Sequence, residues 1–311
     1  MFLLRRYSSE FRVEWDDFIE RSKNGLFFFK TDYLFYHSDR FIDHSLLVFN
    51  EHKELCAVFP ANENKAIIYS HQGLTFGSLI LSYKTKAKDV LLIFEEIIRY
   101  YRTLGFERII YKQIPYHFNK YPSQEDAYAL FRNDAVLFRR DISSVIKLSE
   151  RLGFSPAKKN LVNKCMRIGL NVAEKQDFSI YWSLLESVLS KFHTTPVHTL
   201  VEIQRLKNQY PNEIRLFETW HSGVLLAGVV IFDFGSSVHT QYMANSSEGR
   251  KIGALDFLIY HLINNVFMDK DFFSFGISNE NDGRYLNEGL IQQKELLGAR
   301  GACLDFYELN L

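Results

Sequence analysis

Apolar residues recur along this chain with two different periods, and the switches between them outline its elements. In residues 13–24 (VEWDDFIERSKN), Trp15, Phe18 and Ile19 share one helical face, and Asn24-Gly25 stops the helix. A second short helix is expected near 31–39. Apolar runs at 45–49 and 55–59 flank the polar stretch 50–54 and read as a hairpin, and 66–69 continues its sheet. A loop with Gly73 and Gly77 leads to the strongest helix of this half, about 86–104. There Val90, Phe94, Ile97, Tyr101 and Leu104 step by three or four up to Gly105. A strand at 108–111, a helix at 124–133 and a strand at 135–139 follow.

From residue 156 the same order returns. Residues 156–168 form a helix with a basic side that ends at Gly169, and 178–192 and 198–209 give two more helices. Strands at 214–220 and 224–234 turn through His221-Ser-Gly223, where Gly223 supplies a positive φ, and 237–244 is a third strand. A polar loop, 245–251, enters a helix with Ile252, Leu255, Ile259, Leu262 and Val266 in register. A strand at 272–275, a helix at about 285–297 ending at Gly298 and a strand at 302–309 complete the chain. Each half thus runs helices, hairpin, strand, crossover helix, strand, helix, strand. This predicts an α+β class, with one parallel crossover in a mainly antiparallel sheet. The linker is expected near 142–156; its lack of Pro/Gly richness predicts two packed domains.

Composition narrows the function classes. Lys plus Arg is 37 and Asp plus Glu is 37, so no summed positive field draws in DNA. Cys56, Cys165 and Cys303 are far apart and odd in number, which excludes a disulfide framework or metal knuckle. Cys165 and Cys303 are expected to be small buried hydrophobes, and His193 and His198 to be loop histidines rather than metal ligands. The densest apolar run, 224–232, is under half of the roughly 20 residues a membrane helix needs. No membrane span and a cytoplasmic location are therefore expected, and the many phenylalanines are assigned to the core. GxxxxGK[ST], HExxH and GxSxG are all absent.

The informative stretch is 237–262, SVHTQYMANSSEGRKIGALDFLIYHL. A polar, glycine-containing loop between a strand and a helix exposes backbone N–H groups with the macrodipole behind them, which suits an anion. Arg250 and Lys251 add cationic donors, and Gly249 and Gly253 admit close approach. An ordinary helix capped by Ser246 or Ser247, with Glu248 in its first turn, is the competing reading.

Arg250-Lys-Ile-Gly253-Ala-Leu255 resembles the acyl-CoA pyrophosphate loop of the GNAT acetyltransferase superfamily, Q/R-x-x-G-x-G/A. Arg250 and Gly253 match; Leu255 departs. Tyr242-Met-Ala244, Phe272 to Gly276, Ser278-Asn-Glu280, Leu286-Asn-Glu-Gly-Leu-Ile and Lys294-Glu-Leu-Leu-Gly298 resemble the Fem-like branch. So do Lys158-Lys159, Asn163-Lys164 and Gly169-Leu-Asn-Val172. That branch holds peptidoglycan-bridge aminoacyltransferases and related polysaccharide-pathway acetyltransferases.

The resemblance implies two tandem GNAT-like domains, each a mixed, mostly antiparallel sheet flanked by helices. Residues 1–145 would serve the acceptor side or structure and 146–311 the donor. It implies transfer from acyl-CoA, without a metal, to an amino sugar or other amine in bacterial cell-surface glycan or lipid biosynthesis. Donor contacts would come from Tyr242, Met243, Ala244, Gly249, Arg250, Lys251, Gly253 and Ala254. The donor arm would lie between splayed strands, 239–244 and 272–277. Catalytic candidates are His239, Glu280, Tyr285 and Lys294, and acceptor-side candidates are His71, Asn279 and Asn287. Many GNAT enzymes carry a Tyr four residues before the glycine of the last helix; here that position is Lys294, with an ion pair to Glu280 or Glu295 as an alternative to catalysis.

Two other functions are weighed. An aminoacyl-tRNA donor is disfavoured, because 178–213 is too short for the long charged hairpin inserted in bridge enzymes and the neutral charge suits no large RNA footprint. The last is a non-catalytic GNAT-like binding module.

Overall fold

In the computed structural model, which describes residues 2–311, the described chain divides into two compact units: the residues up to 141 with 303–311, and 142–302.

The first unit opens with β1 (Leu3–Arg6), α1 (Arg12–Arg21) and α2 (Thr31–Leu34). Short strands follow: β2 (Ile42–Asp43), β3 (Leu46–Phe49), β4 (Leu55–Phe59), β5 (Asn62–Asn64), β6 (Ile67–Tyr69) and β7 (Ile80–Leu81). Then come α3 (Ala87–Thr103), β8 (Arg108–Lys112), α4 (Glu125–Arg132) and β9 (Val136–Lys147), whose last residues belong to the second unit. β3 and β4 are wholly apolar because they lie in the middle of one antiparallel sheet, β1-β3-β4-β7. β6 does not continue that sheet, as its sequence suggests. It pairs with β5 and, in parallel, with β8, while β5 pairs with β2. The crossover between β6 and β8 is α3, which buries Val90, Ile93, Phe94, Ile97, Ile98 and Tyr101 in a core shared with residues of both sheets. A buried Asp126 carboxylate ties this core together by accepting from Tyr111 Oη at 2.8 Å, Ser78 Oγ at 3.2 Å and Gln113 Nε2 at 3.2 Å.

The second unit contains α5 (Pro156–Arg167), β10 (Asn171–Lys175), α6 (Ser179–Leu189), α7 (Leu200–Gln209), β11 (Ile214–His221), β12 (Val224–Asp233) and β13 (Ser237–Asn245). Next are α8 (Ser247–Ile252), α9 (Ala254–His261), a π-helical turn (Leu262–Val266) and β14 (Phe272–Ile277). The small hairpin β15 (Asn279–Glu280) and β16 (Tyr285–Leu286) and helix α10 (Glu288–Glu295) precede β17 (Arg300–Asn310). The end of β17 returns to the first unit, where residues 306–310 pair with β8. Neighbours in the sheet are β10-β11-β12-β13-β14-β9, antiparallel except for the β13–β14 pair. One face carries the core: Phe217, Val229, Ile231, Val238 and Phe273 against α9 and the Val162 and Cys165 side of α5. On the other face, α6 presses Tyr181 and Trp182 inward, both at most 1% exposed.

Three expectations need correction. The segment expected as a linker begins as strand, because the apolar run Val145-Ile-Lys-Leu148 gives β9 a partner in β14. The expected loop 245–251 is mostly helical: Ser246 caps α8, and its Oγ accepts from Gly249 N at 2.9 Å. Cys303 is exposed on β17, since it alternates with the inward-facing Ala302 and Leu304, whereas Cys165 is buried. Among the described residues no helix is long and apolar enough to cross a membrane.

Candidate functional site

β13 and β14 pair over only part of their length. Their register is Ser237↔Phe272, Val238↔Phe273 and His239↔Ser274, and pairing then ends. Beyond it β13 follows β12 as far as Asn245↔Ala227, while β14 follows β9 to Ile277↔Ser143. A fork opens, with the backbone edge of residues 240–245 along one side. Local backbone conformation accounts for both arms. β13 bulges against β12, where Val230 faces Tyr242 but Ile231 faces Thr240, and a bulge adds bend and twist. β14 turns at Gly276, whose φ of +72° an L side chain rarely adopts. The first unit's parallel pair differs. β6 and β8 pair through Tyr69↔Ile110, and Ser70 prolongs the seam: its N–H donates to Ile110 O at 2.9 Å and its Oγ accepts from Lys112 N at 2.7 Å.

At the apex of the fork His239, 8% exposed, has its Nδ1 3.2 Å from Ser274 Oγ. The bulge brings Tyr242 to the same face, because His239 lies opposite Phe232 and Tyr242 opposite Val230. Tyr242 Oη is 2.7 Å from His198 Nδ1, and its ring meets Trp182 edge-on at 5.3 Å. Burial raises the Tyr242 phenol above its ordinary value, opposed by hydrogen bonds it receives. Lys294, 3% exposed on α10, makes no ion pair with Glu280 or Glu295; its Nζ donates to Gly276 O at 3.0 Å, Ile277 O at 2.7 Å and Ser278 Oγ at 2.8 Å. Burial lowers its pKa from 10.5 to about 8.

The expected phosphate-binding tip consists of two short helices. Gly249 is buried, while Arg250 and Lys251 project outward from α8. Gly253, at φ +83°, ends α8 and starts α9; a side chain there would meet Leu161 Cβ at 2.9 Å, and Ala254 behind it is fully buried. Asp256, in the first turn of α9, accepts from Lys158 Nζ at 2.7 and 2.9 Å. A carboxylate of the chain itself thus already uses the dipole at that end. Met243 packs against the core on the α9 side, and Ala244 is buried.

The remaining candidates lie apart from the apex. Glu280 Oε1 accepts from Asn287 Nδ2 at 2.8 Å, and Asn287 caps α10 by accepting from Leu290 N at 3.0 Å. Asn279 Oδ1 accepts from Ile142 N at 2.7 Å, a structural bond. Tyr285 is exposed. His71, in the first unit, is buried at φ +64°, and desolvation holds its pKa well below 6.5. Sequence reasoning missed Ser274, Ser278, His198 and Trp182. Only Ser278 carried a signal, standing just past a strand end beside Asn279 and Glu280.

No protein-family model and no curated protein sequence matches the chain. Solved structures do. FemX aligns with a TM-score of 0.72 at 10% identity, covering 99% of this chain and 97% of that one. L-PGS from Bacillus licheniformis gives 0.65 at 12% identity, over 98% and 92%. A tandem GNAT protein from the clavulanic acid biosynthesis pathway gives 0.51 at 10% identity, over 100% and 98%. With mixed sheets flanked by helices, a forked parallel pair and whole-length likeness to these structures, the chain has the tandem GNAT, Fem-like α+β fold.

Proposed function

We propose that this protein transfers an acyl group from acyl-CoA to an amine, with the donor held in the second unit. The observation that carries this reading is the fork beyond His239 and Ser274. The free edge of β13 offers backbone N–H and C=O groups to an extended, amide-bearing arm such as pantetheine, and a strand N–H can polarise the donor carbonyl. His239, at the apex and bonded to Ser274 Oγ, is positioned to take the proton the attacking amine loses. The amine nitrogen forms a bond to the carbonyl carbon, the carbon–sulfur bond breaks, and CoA leaves as a thiolate that is then protonated. Arg250 and Lys251, exposed on α8, supply positive charge for the donor's phosphates. The first unit, whose parallel pair stays closed, serves the acceptor or the framework. An amino sugar or another amine of a cell-surface glycan or lipid pathway is the proposed acceptor, and the cytoplasm the proposed location.

A second reading replaces the donor by an aminoacyl ester of tRNA. The Asp256–Lys158 pair at the start of α9 favours it, because a pyrophosphate there would meet a resident carboxylate. Thermal unfolding with acetyl-CoA, longer acyl-CoAs and charged tRNA separates the two readings, followed by mass spectrometry of amino-sugar nucleotides incubated with whichever donor binds. Acyl-CoA stabilisation supports the first reading; stabilisation by charged tRNA alone supports the second; neither leaves a binding module.

A further inference from the structure

We infer that a cavity of the second unit, between segment 151–154 and the end of α9, binds a small carboxylate with an apolar body. The cavity holds about 280 Å³. Its inner wall is apolar: Ile146 of β9, Ile263 of the π-helical turn and Leu297 after α10 are each at most 4% exposed. Phe154 and Tyr260, half-buried and edge-on at 5.8 Å, extend that wall. All five belong to the unit's core or pack against it. Close-packed interiors leave few such spaces, because side chains around an empty one forfeit their contacts. The site lies outside the free edge of the fork. Ile146 faces Phe273, in the part of β14 that still pairs with β13.

The mouth is cationic. Arg151 and Lys159 line it, both exposed, and no carboxylate does. Arg151 Nη1 donates to Asn264 Oδ1 at 2.8 Å and to Ile263 O at 3.4 Å. The Asn264 amide is itself oriented, since its Nδ2 donates to Tyr260 O at 2.7 Å. The guanidinium is thus held by neutral groups that leave its charge unmatched. Lys158 is neutralised by Asp256, whereas among the described residues its neighbour Lys159 meets no carboxylate. Two like charges at one mouth repel until an anion joins them. Volume then sets the size of the ligand. At roughly 30 Å³ per non-hydrogen atom, as in liquid water, the cavity takes about ten such atoms, two carboxylate oxygens and an apolar body of about eight carbons. A wholly polar anion would leave the inner wall uncovered, and an uncharged chain would leave the cations unmatched. The π-helical turn in the wall agrees, because such turns concentrate at functional sites.

Isothermal titration calorimetry with octanoate, octan-1-ol and acetate, below any micelle formation, tests the joint need for head and tail. Octanoate should bind the unmodified chain at one site with a Kd below about 1 mM, and octanol and acetate at least about tenfold more weakly. Lys159→Gln and Arg151→Gln, at exposed positions, should each weaken octanoate at least about threefold and leave octanol unchanged. Hydrogen exchange locates the site: octanoate should slow exchange at 151–154 and 259–264 and leave 240–245 as it was. No octanoate binding below about 1 mM overturns the inference. So does octanol or acetate binding as tightly as octanoate, equal octanoate affinity in both folded variants, or protection at 240–245 instead of 259–264. None of these measurements uses acyl-CoA, so the donor reading can fail without touching this site.

Discussion

At the scale of single residues, Gly253 carries more than its size suggests. Its φ of +83° and the 2.9 Å approach of Leu161 to a Cβ built there act together. Gly253→Val should cost about 2 kcal/mol or more in stability and displace α8, so that acyl-CoA no longer raises Tm in the variant; denaturant and thermal unfolding read both. Arg250→Ala leaves the fold alone and should only reduce the ligand-induced shift, since Arg250 is exposed. At the apex, His239→Ala should lower kcat roughly 10²–10⁴-fold with little change in donor KM if the imidazole accepts the amine's proton, which steady-state kinetics would show. Asp43 illustrates a residue working against stability. Desolvation raises its pKa to about 6 from 3.8, only partly offset by its hydrogen bonds from Ser45. The folded chain thus binds more protons than the unfolded one between those values, and the stability from this group is lost as pH rises through about 6. Asp43→Asn should raise Tm at pH 7.5 and leave it nearly unchanged at pH 4.

At the scale of elements, legibility followed periodicity. Helix α3 was readable because its apolar positions keep helical spacing over the whole of Ala87–Thr103. The hairpin β11–β12 was readable because two long apolar runs flank a short turn. The break at Gly253 was not, because Ile252 and Leu255 continue the helical period across it while the backbone does not. Nor could sequence assign β6 to its sheet, since three apolar residues fit either partner. The fork was expected only through resemblance. Strand register is set by pairing, and nothing in the local pattern of β14 says that pairing stops at Ser274. Among ion pairs, Lys158–Asp256 joins α5 to α9 with both side chains at most 15% exposed. Lys158→Ala strands a buried carboxylate and should cost about 3 kcal/mol, measured by denaturant unfolding, whereas exposed pairs such as Arg21–Asp17 should cost under about 1 kcal/mol.

At the scale of the whole molecule, burial of basic groups sets the pH response. His37 and His117 titrate near 4 rather than 6.5 because both are desolvated. The unfolded chain binds more protons between those values, so Tm should fall as pH drops from 6.5 towards 4. Lys112 and Lys294, held near 7 and 8 rather than 10.5 by burial, should make stability rise with pH across the alkaline range. A Lys294→Met variant should lose part of that rise. The division of labour between units rests on one contrast. The parallel pair of the first unit is sealed by Ser70, and that of the second opens beyond His239. If the open pair is where the donor lies, acetyl-CoA at about 100 times its Kd should stabilise the chain by about 2.7 kcal/mol. The decisive measurement is the thermal shift with acetyl-CoA in the unmodified chain and in Gly253→Val. A clear rise in the first and none in a folded second is the predicted result; equal shifts in both, or none with any acyl-CoA, would contradict donor binding at the fork.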